Sequence, residues 1–296
     1  MAESRARRTA PEYFPPKQLP SIPMSGKFRI LLVLAAVALA ACSSAKKEEP
    51  DLSAEEMYAA AKLSMSRNGW ERALTQLREL IAKYPYGKHA EQAQLDEIYV
   101  HYRNNSPGLC IAAAERFIKE HPTHEAVDYA YYAKGLANYQ EDDSLFGRLT
   151  GRDDLSDRDA TITRDALDAF TDVYTLFPES RYAADSRARA RRLTESLARH
   201  ELAVAAYYLS RNAHVAVVNR AKGVVENYAT TPALEHALAL MIFSYRQMGL
   251  SELSESAKRV LALSFPQSEY LSGLDRGGRE LLTRGLADLA AAGKQR

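Results

Sequence analysis

The sequence predicts an all-α protein built as a stack of about five helix pairs. Three observations carry that expectation. A spaced set of residues returns along the chain: Ala73, Leu77, Leu80 and Pro85, then Cys110, Ala114, Phe117 and Pro122, then Ala166, Phe170, Val173 and Pro178. Weaker copies are Val217, Ala221 and Val224, with Ala229 in the proline's place, and Ser254, Lys258 and Leu261 with Pro266. The end markers stand 37, 56, 51 and 37 residues apart, a period that suits two-helix repeats with insertions. Finally, positions four and seven after the small residue share one helical face, and proline cannot continue a helix.

This is the tetratricopeptide (TPR) pattern, and it predicts a TPR-type superhelix over 51–268, split into halves 51–180 and 181–268. One pair cannot cover its own apolar stripe, so pairs must stack, and small residues such as Ala73 let helices approach closely. Asp51 or Ser53 is placed to cap the first helix, and Asn68-Gly69 turns the chain into the second, with Trp70 expected to anchor it on the first. The second pair runs from about His89 to Glu120 and turns at Asn104–Gly108. The third starts near Asp128, where Gly135 permits a close helix contact. It is interrupted by the charged insertion Glu141–Thr161 and resumes at Ile162–Phe177. Arg181–Arg211 reads as one long helix with Ala213–Tyr228 as its partner, and the fifth pair is Ala233–Met248 with Ser251–Ser264. In the tail 269–296, three glycines precede a weak helix expected at Arg279–Ala291, which could cap the stack.

Residues 1–41 read as a leader. Lys27 and Arg29 precede the unbroken apolar run Ile30–Ala41, which as a helix spans roughly 18 Å and falls short of a ~30 Å hydrocarbon core. It ends in Leu39-Ala40-Ala41-Cys42, the arrangement of a bacterial lipobox, in which the Cys42 thiol takes a diacylglycerol and the new N-terminus an acyl chain. The competing reading is an ordinary secretory signal with an incidental Cys42. Ser43 after the cysteine favours delivery to the outer membrane, with the protein held on its periplasmic face and 42–50 as a tether. The proline-rich 1–23 displaces the positive region from the start, so translation is expected to begin at Met24; Arg7-Arg8 lies too far upstream for a twin-arginine signal.

Net charge is +1, and setting aside the leader, with six Lys/Arg and two acids, leaves −3. That argues against nucleic acid as a partner. With Cys42 lipidated, Cys110 has no disulfide partner, and its seam position marks it as a buried small hydrophobe. His121 and His124 flank an inter-repeat turn without further ligands at zinc spacing. Asp153, Asp154, Asp157 and Asp159 miss the calcium-loop pattern and serve better as helix caps. No phosphate loop, nucleophile elbow or dinucleotide fingerprint occurs, so no cofactor, metal or catalytic residue is expected. Tyrosines crowd the first three pairs, and Tyr84, Tyr86, Tyr99, Tyr102, Tyr129 and Tyr132 are the candidates for a groove gripping an extended or unfolded chain. For any one of them, filling a helix seam is the competing role.

Several segments then carry a resemblance: Tyr84-Pro85-Tyr86-Gly87 with Gln94-Leu95-Asp96 and Ile98-Tyr99, His121-Pro122-Thr123-His124 with Asp128-Tyr129, and Ser156-Asp157-Arg158-Asp159. Val204–Tyr208, Val215–Arg220 and Tyr245-Arg246-Gln247-Met248 complete the series. Over roughly 42–268 the chain resembles the BamD (ComL) family of outer-membrane assembly lipoproteins. The resemblance implies a periplasmic scaffold of the β-barrel assembly machine (BAM), in which C-terminal repeats hold a POTRA domain of BamA and N-terminal repeats receive unfolded outer-membrane β-barrel proteins. It implies that Arg220 meets an acidic residue of that POTRA domain, and that BamC and BamE are further partners. Residues 1–23 and those after 268 have no place in the family pattern. Another periplasmic TPR lipoprotein, serving secretin or cell-wall assembly, and an enzyme using the insertion acids are the competing readings.

Overall fold

The structure is a computed structural model and describes residues 52–139 and 160–293. The leader, Cys42, the tether, Asp51 and nearly all of the charged insertion with its four aspartates lie outside the described residues. Among the described residues there are eleven α-helices and no strand. They are α1 (Ala54–Ser66), α2 (Trp70–Lys83), α3 (Lys88–Arg103), α4 (Pro107–Glu120), α5 (Val127–Asn138), α6 (Ala160–Leu176), α7 (Ala183–Ser210), α8 (His214–Asn227), α9 (Ala233–Gln247), α10 (Ser251–Ser264) and α11 (Tyr270–Gly293). Each of α1 to α10 packs on the next, and α3 also touches α1 and α5 across the intervening helix, as a TPR-like stack requires.

Local chemistry explains the boundaries. Ser53 caps α1 in a capping box: its Oγ accepts from the Glu56 amide, and its own amide donates to Glu56 Oε2. Four of the five turns within pairs share one device. Asn68, Asn105, Asn212 and Gly249 stand at positive φ, each five residues before the small seam residue. In each turn the next amide donates back to the fifth preceding carbonyl, Gly69 to Ser64, Ser106 to His101, Ala213 to Tyr208 and Leu250 to Tyr245, which is a Schellman ending. Asparagine tolerates this left-handed backbone better than other non-glycine residues. Between pairs, the last helical hydrogen bond comes from the residue before the marker: Tyr84, His121, Phe177, Tyr228 and Phe265. Tyr228 therefore ends α8 although Ala229 replaces the proline.

The seam residues form the core. Ala73, Leu77, Leu80, Cys110, Ala114, Phe117, Ala166, Phe170, Val173, Val217, Ala221, Val224 and Leu261 are fully enclosed, and Ser254 nearly so. Lys258, the one polar break in the pattern, is half-buried. At Gly135 an added Cβ would lie 2.7 Å from the Phe170 ring, so only glycine lets α5 meet α6 this closely.

One expectation is extended and one changes. Trp70 packs against the core that α1 and α2 share, as expected, and its ring also meets α3, edge-on to Tyr99 with centroids 6.2 Å apart and beneath Arg103, so it ties the first pair to the second as well. The C-terminal tail carries a helix that starts at Tyr270, nine residues before the expected Arg279. α11 lies on α9 and α7 and buries Tyr270, Leu274 and Leu282, so it caps the stack by extending its core. The glycines that weaken its helix propensity serve close packing; a Cβ at Gly278 would stand 3.0 Å from the Phe243 ring. Propensity is a weak prior when an apolar face is waiting to be covered.

Candidate partner-binding site

The first three pairs build a groove of about 980 Å³. α1 contributes Lys62 and Met65, α3 contributes Leu95, Asp96 and Tyr99, and the start of α5 contributes Asp128 and Tyr129. The turn before α7 closes it with Glu179, Ser180, Arg181 and Tyr182. Asp96 is buried and held: Tyr58 Oη donates to its Oδ2 (2.7 Å) and Lys62 Nζ lies 3.2 Å away. Burial, then the Asp96 carboxylate, pushes the Tyr58 hydroxyl well above its usual range, so it remains a donor. Ser180 Oγ donates to Asp128 Oδ2 (2.6 Å), fixing the far wall. The groove thus mixes Met65, Leu95, Tyr99, Tyr129 and Tyr182 with charged groups, of which Asp96 and Asp128 are held by internal partners.

The six candidate tyrosines are not brought together. Tyr99 and Tyr129 line the groove. Tyr132 is joined to it through Tyr182, on which it stacks at 4.6 Å, and it donates to Asp185 Oδ2 (2.7 Å). Burial and then that carboxylate push Tyr132 up to about 12. Tyr84 is half-buried and donates to the Leu52 carbonyl, outside the groove. Tyr86 is 91% exposed on its turn, and Tyr102 is exposed near the end of α3; neither lines the groove. Sequence reasoning missed Tyr182, Lys62 and Asp96, because groove walls come from residues far apart in the chain and only the tyrosine crowding was a local signal.

Arg220 lies on α8 at a second cavity of about 760 Å³, formed by α6, α7 and α8. Its Nη1 donates to Glu201 Oε2 (3.0 Å), while Arg164 Nη2 donates to Glu201 Oε1 (3.3 Å). Glu201 has 12% of its side chain exposed, against 44% for Arg220 and 48% for Arg164. One enclosed carboxylate therefore orders two guanidinia that still face solvent. The first pairs contain the same device. Glu97 Oε1 accepts from Arg78 Nε (2.9 Å) and Oε2 from Arg116 Nη2 (2.6 Å), with His101 beside them. Burial opposes the Glu97 charge, yet the two guanidinia outweigh it and hold the carboxyl below its ordinary range. In both devices the second arginine follows the glutamate by 19 residues, from one helix of a pair to the next.

Other candidates resolve as structure. Cys110 is enclosed, and burial pushes its thiol up to about 11, so it is not a nucleophile at neutral pH. His121 and His124 pack against the Phe117 ring, and His124 Nδ1 accepts from the Ala126 amide. Among the described residues no cluster of His, Cys, Asp and Glu could hold a metal ion, and no helix is long and apolar enough to cross a membrane.

With this geometry in hand, comparison with known proteins is decisive. The outer membrane lipoprotein family YfiO matches residues 50–272. The chain belongs to that family. This YfiO-family chain is 35% identical over 249 residues to the outer membrane protein assembly factor BamD of Neisseria meningitidis, covering 82% of this chain and 93% of the relative. It is 33% identical to BamD of Vibrio cholerae (80% and 99% covered) and 33% identical to BamD of Xylella fastidiosa (82% and 84% covered). The relatives are assembly factors by name, and the YfiO match ends at 272, within α11.

Proposed function

We propose that the protein is a non-catalytic scaffold of the BAM complex, lipid-anchored on the periplasmic face of the outer membrane, that assists insertion of β-barrel proteins. The observation that carries this reading is the separation of two ordered surfaces on one helical stack, an aromatic groove in the first three pairs and the Arg220 cavity further on. In each surface an enclosed carboxylate orders neighbouring donors, Asp96 holding Tyr58 and Lys62 and Glu201 holding Arg164 and Arg220, which lowers the ordering cost of docking. In this reading Cys42 carries S-diacylglycerol and an N-acyl chain, and several acyl chains at about 0.8 kcal/mol per methylene make the anchor permanent. Arg220 contacts an acidic residue of a POTRA domain of BamA, BamC and BamE are further partners, and Tyr99 and Tyr129 receive unfolded barrel substrate. Service to secretins or the cell wall is not favoured, because the relatives are named for outer membrane protein assembly.

Co-purification from detergent-solubilised membranes tests the reading. A POTRA-bearing barrel subunit should accompany the wild-type chain, and Arg220→Glu should weaken the complex by about tenfold or more while the helices remain folded. Intact-mass measurement should find the acyl chains on a mature protein starting at Cys42. Absence of the barrel subunit would sink the proposal, and an unmodified Cys42 would remove the anchor from it.

A further inference from the structure

We propose that Arg164 is the second arm of the contact made by Arg220, and that the cavity they share receives an acidic side chain presented beside an apolar one. This rests on the reading of Arg220 as a partner contact. Glu201 accepts one hydrogen bond from each arginine, through different oxygens, and holds both guanidinia at the same cavity. Among the described residues neither guanidinium has another hydrogen-bond partner. Each has five N–H donors, so most of their donor capacity is left for a ligand. With Asp168 also lining the cavity, two arginines and two carboxylates balance in charge, so what draws a ligand is the unused guanidinium donors. An incoming carboxylate would take up those donors, and its flat geometry matches a guanidinium fork.

The rest of the cavity narrows the ligand further. Leu167, Tyr208 and Tyr228 line it and offer apolar surface next to the charged edge. Asp168, one helical turn beyond Arg164, also lines it and has no partner among the described residues. Its charge repels a carboxylate seated in the cavity, so the acid must sit at the Arg164–Arg220 edge. The corresponding position of the first device is already occupied: at Glu97, His101 Nε2 lies 3.3 Å from Arg78. The second device has instead an open place of the same chemistry.

The sign of two substitutions tests this. In the full-length lipidated chain, the dissociation constant of the co-purifying barrel subunit is measured at low and high ionic strength. Arg164→Gln should weaken binding about fivefold and flatten its salt dependence, because a half-exposed charge pair is lost. Asp168→Asn should tighten binding about twofold by removing a like charge, an effect that a purely structural role for this region would not produce. Arg164→Lys keeps the charge without the fork; it should retain the salt dependence and lie between wild type and Arg164→Gln, which keeps the test valid if glutamine unsettles the fold. Unchanged affinity in Arg164→Gln, with Arg220→Glu still disruptive, would show that Arg220 acts alone and overturn the inference. A looser complex in Asp168→Asn would overturn the carboxylate ligand. An intact complex in Arg220→Glu would remove the underlying reading as well.

Discussion

The Arg78–Glu97–Arg116 and Arg164–Glu201–Arg220 devices are built alike and placed differently. Each takes a glutamate on the first helix of a pair and grips it with arginines from the helices before and after. Around Glu97 the ring of His101 completes the packing, and the carboxylate is 4% exposed. Around Glu201 the same three charges line an open cavity. The arginines are similarly exposed in both, 57% and 47% against 48% and 44%, so the difference lies in the ring packed beside Glu97 and the cavity beside Glu201. The difference teaches that a buried carboxylate can order arginines at a packed joint or at an open cavity, and that what stands beside it decides which. A Glu–Arg pair read in isolation would have been scored the same in both places.

The largest expected effect comes from cutting the seam between the two devices. Phe170 is fully enclosed against Gly135, Tyr132 and Tyr139, so Phe170→Ala should cost about 3–5 kcal/mol of stability. If both devices belong to one cooperative unit, denaturant curves followed in either half will shift together; separate transitions would divide the molecule at this seam.

Next in size is removal of the carboxylates. Glu97→Ala leaves two arginines and His101 without their common partner and should cost about 2 kcal/mol. Glu201→Ala leaves arginines that can turn to solvent in the cavity and should cost about 1 kcal/mol. Equal losses in urea titrations would erase the distinction between closed and open devices.

Charge reversal on the second arginine asks which device binds. Arg220→Glu should lower partner affinity about tenfold, roughly 1.4 kcal/mol, whereas Arg116→Glu should leave it within twofold. Loss of the partner in both variants would place it across the whole stack.

The smallest effect is on pH. Burial holds His101 below its usual range, opposed by Glu97 and assisted by Arg78, with Glu71 also raising it. The unfolded chain therefore binds more protons than the folded one below about pH 6.5. The stability from neutral His101 is complete above that pH and is lost as pH falls toward the folded value. Glu97 follows in acid, since its carboxyl too is held low when folded. Hydrogen exchange in α2–α4, corrected for intrinsic rates, should quicken between pH 7.5 and 5.5, and His101→Leu should remove the dependence. Unchanged protection in the wild type would contradict the buried neutral ring.

The sequence by itself determined the helix pairs, their turns and the identity of nearly every seam residue, because a buried face repeats with the helical period and leaves its mark on local spacing. It also singled out Arg220 through resemblance, and marked two of the tyrosines that line the groove. Only the tertiary structure decided that Tyr182 belongs beside Tyr129, that Glu201 and Arg164 share the Arg220 cavity, and that α11 begins at Tyr270 and joins the core. Those facts depend on which distant helices lie against one another. Glycines in α11, and an Arg164 that stands 37 residues from Glu201 and 56 from Arg220, carry no local signal of such contacts; packing across the stack gives them their roles.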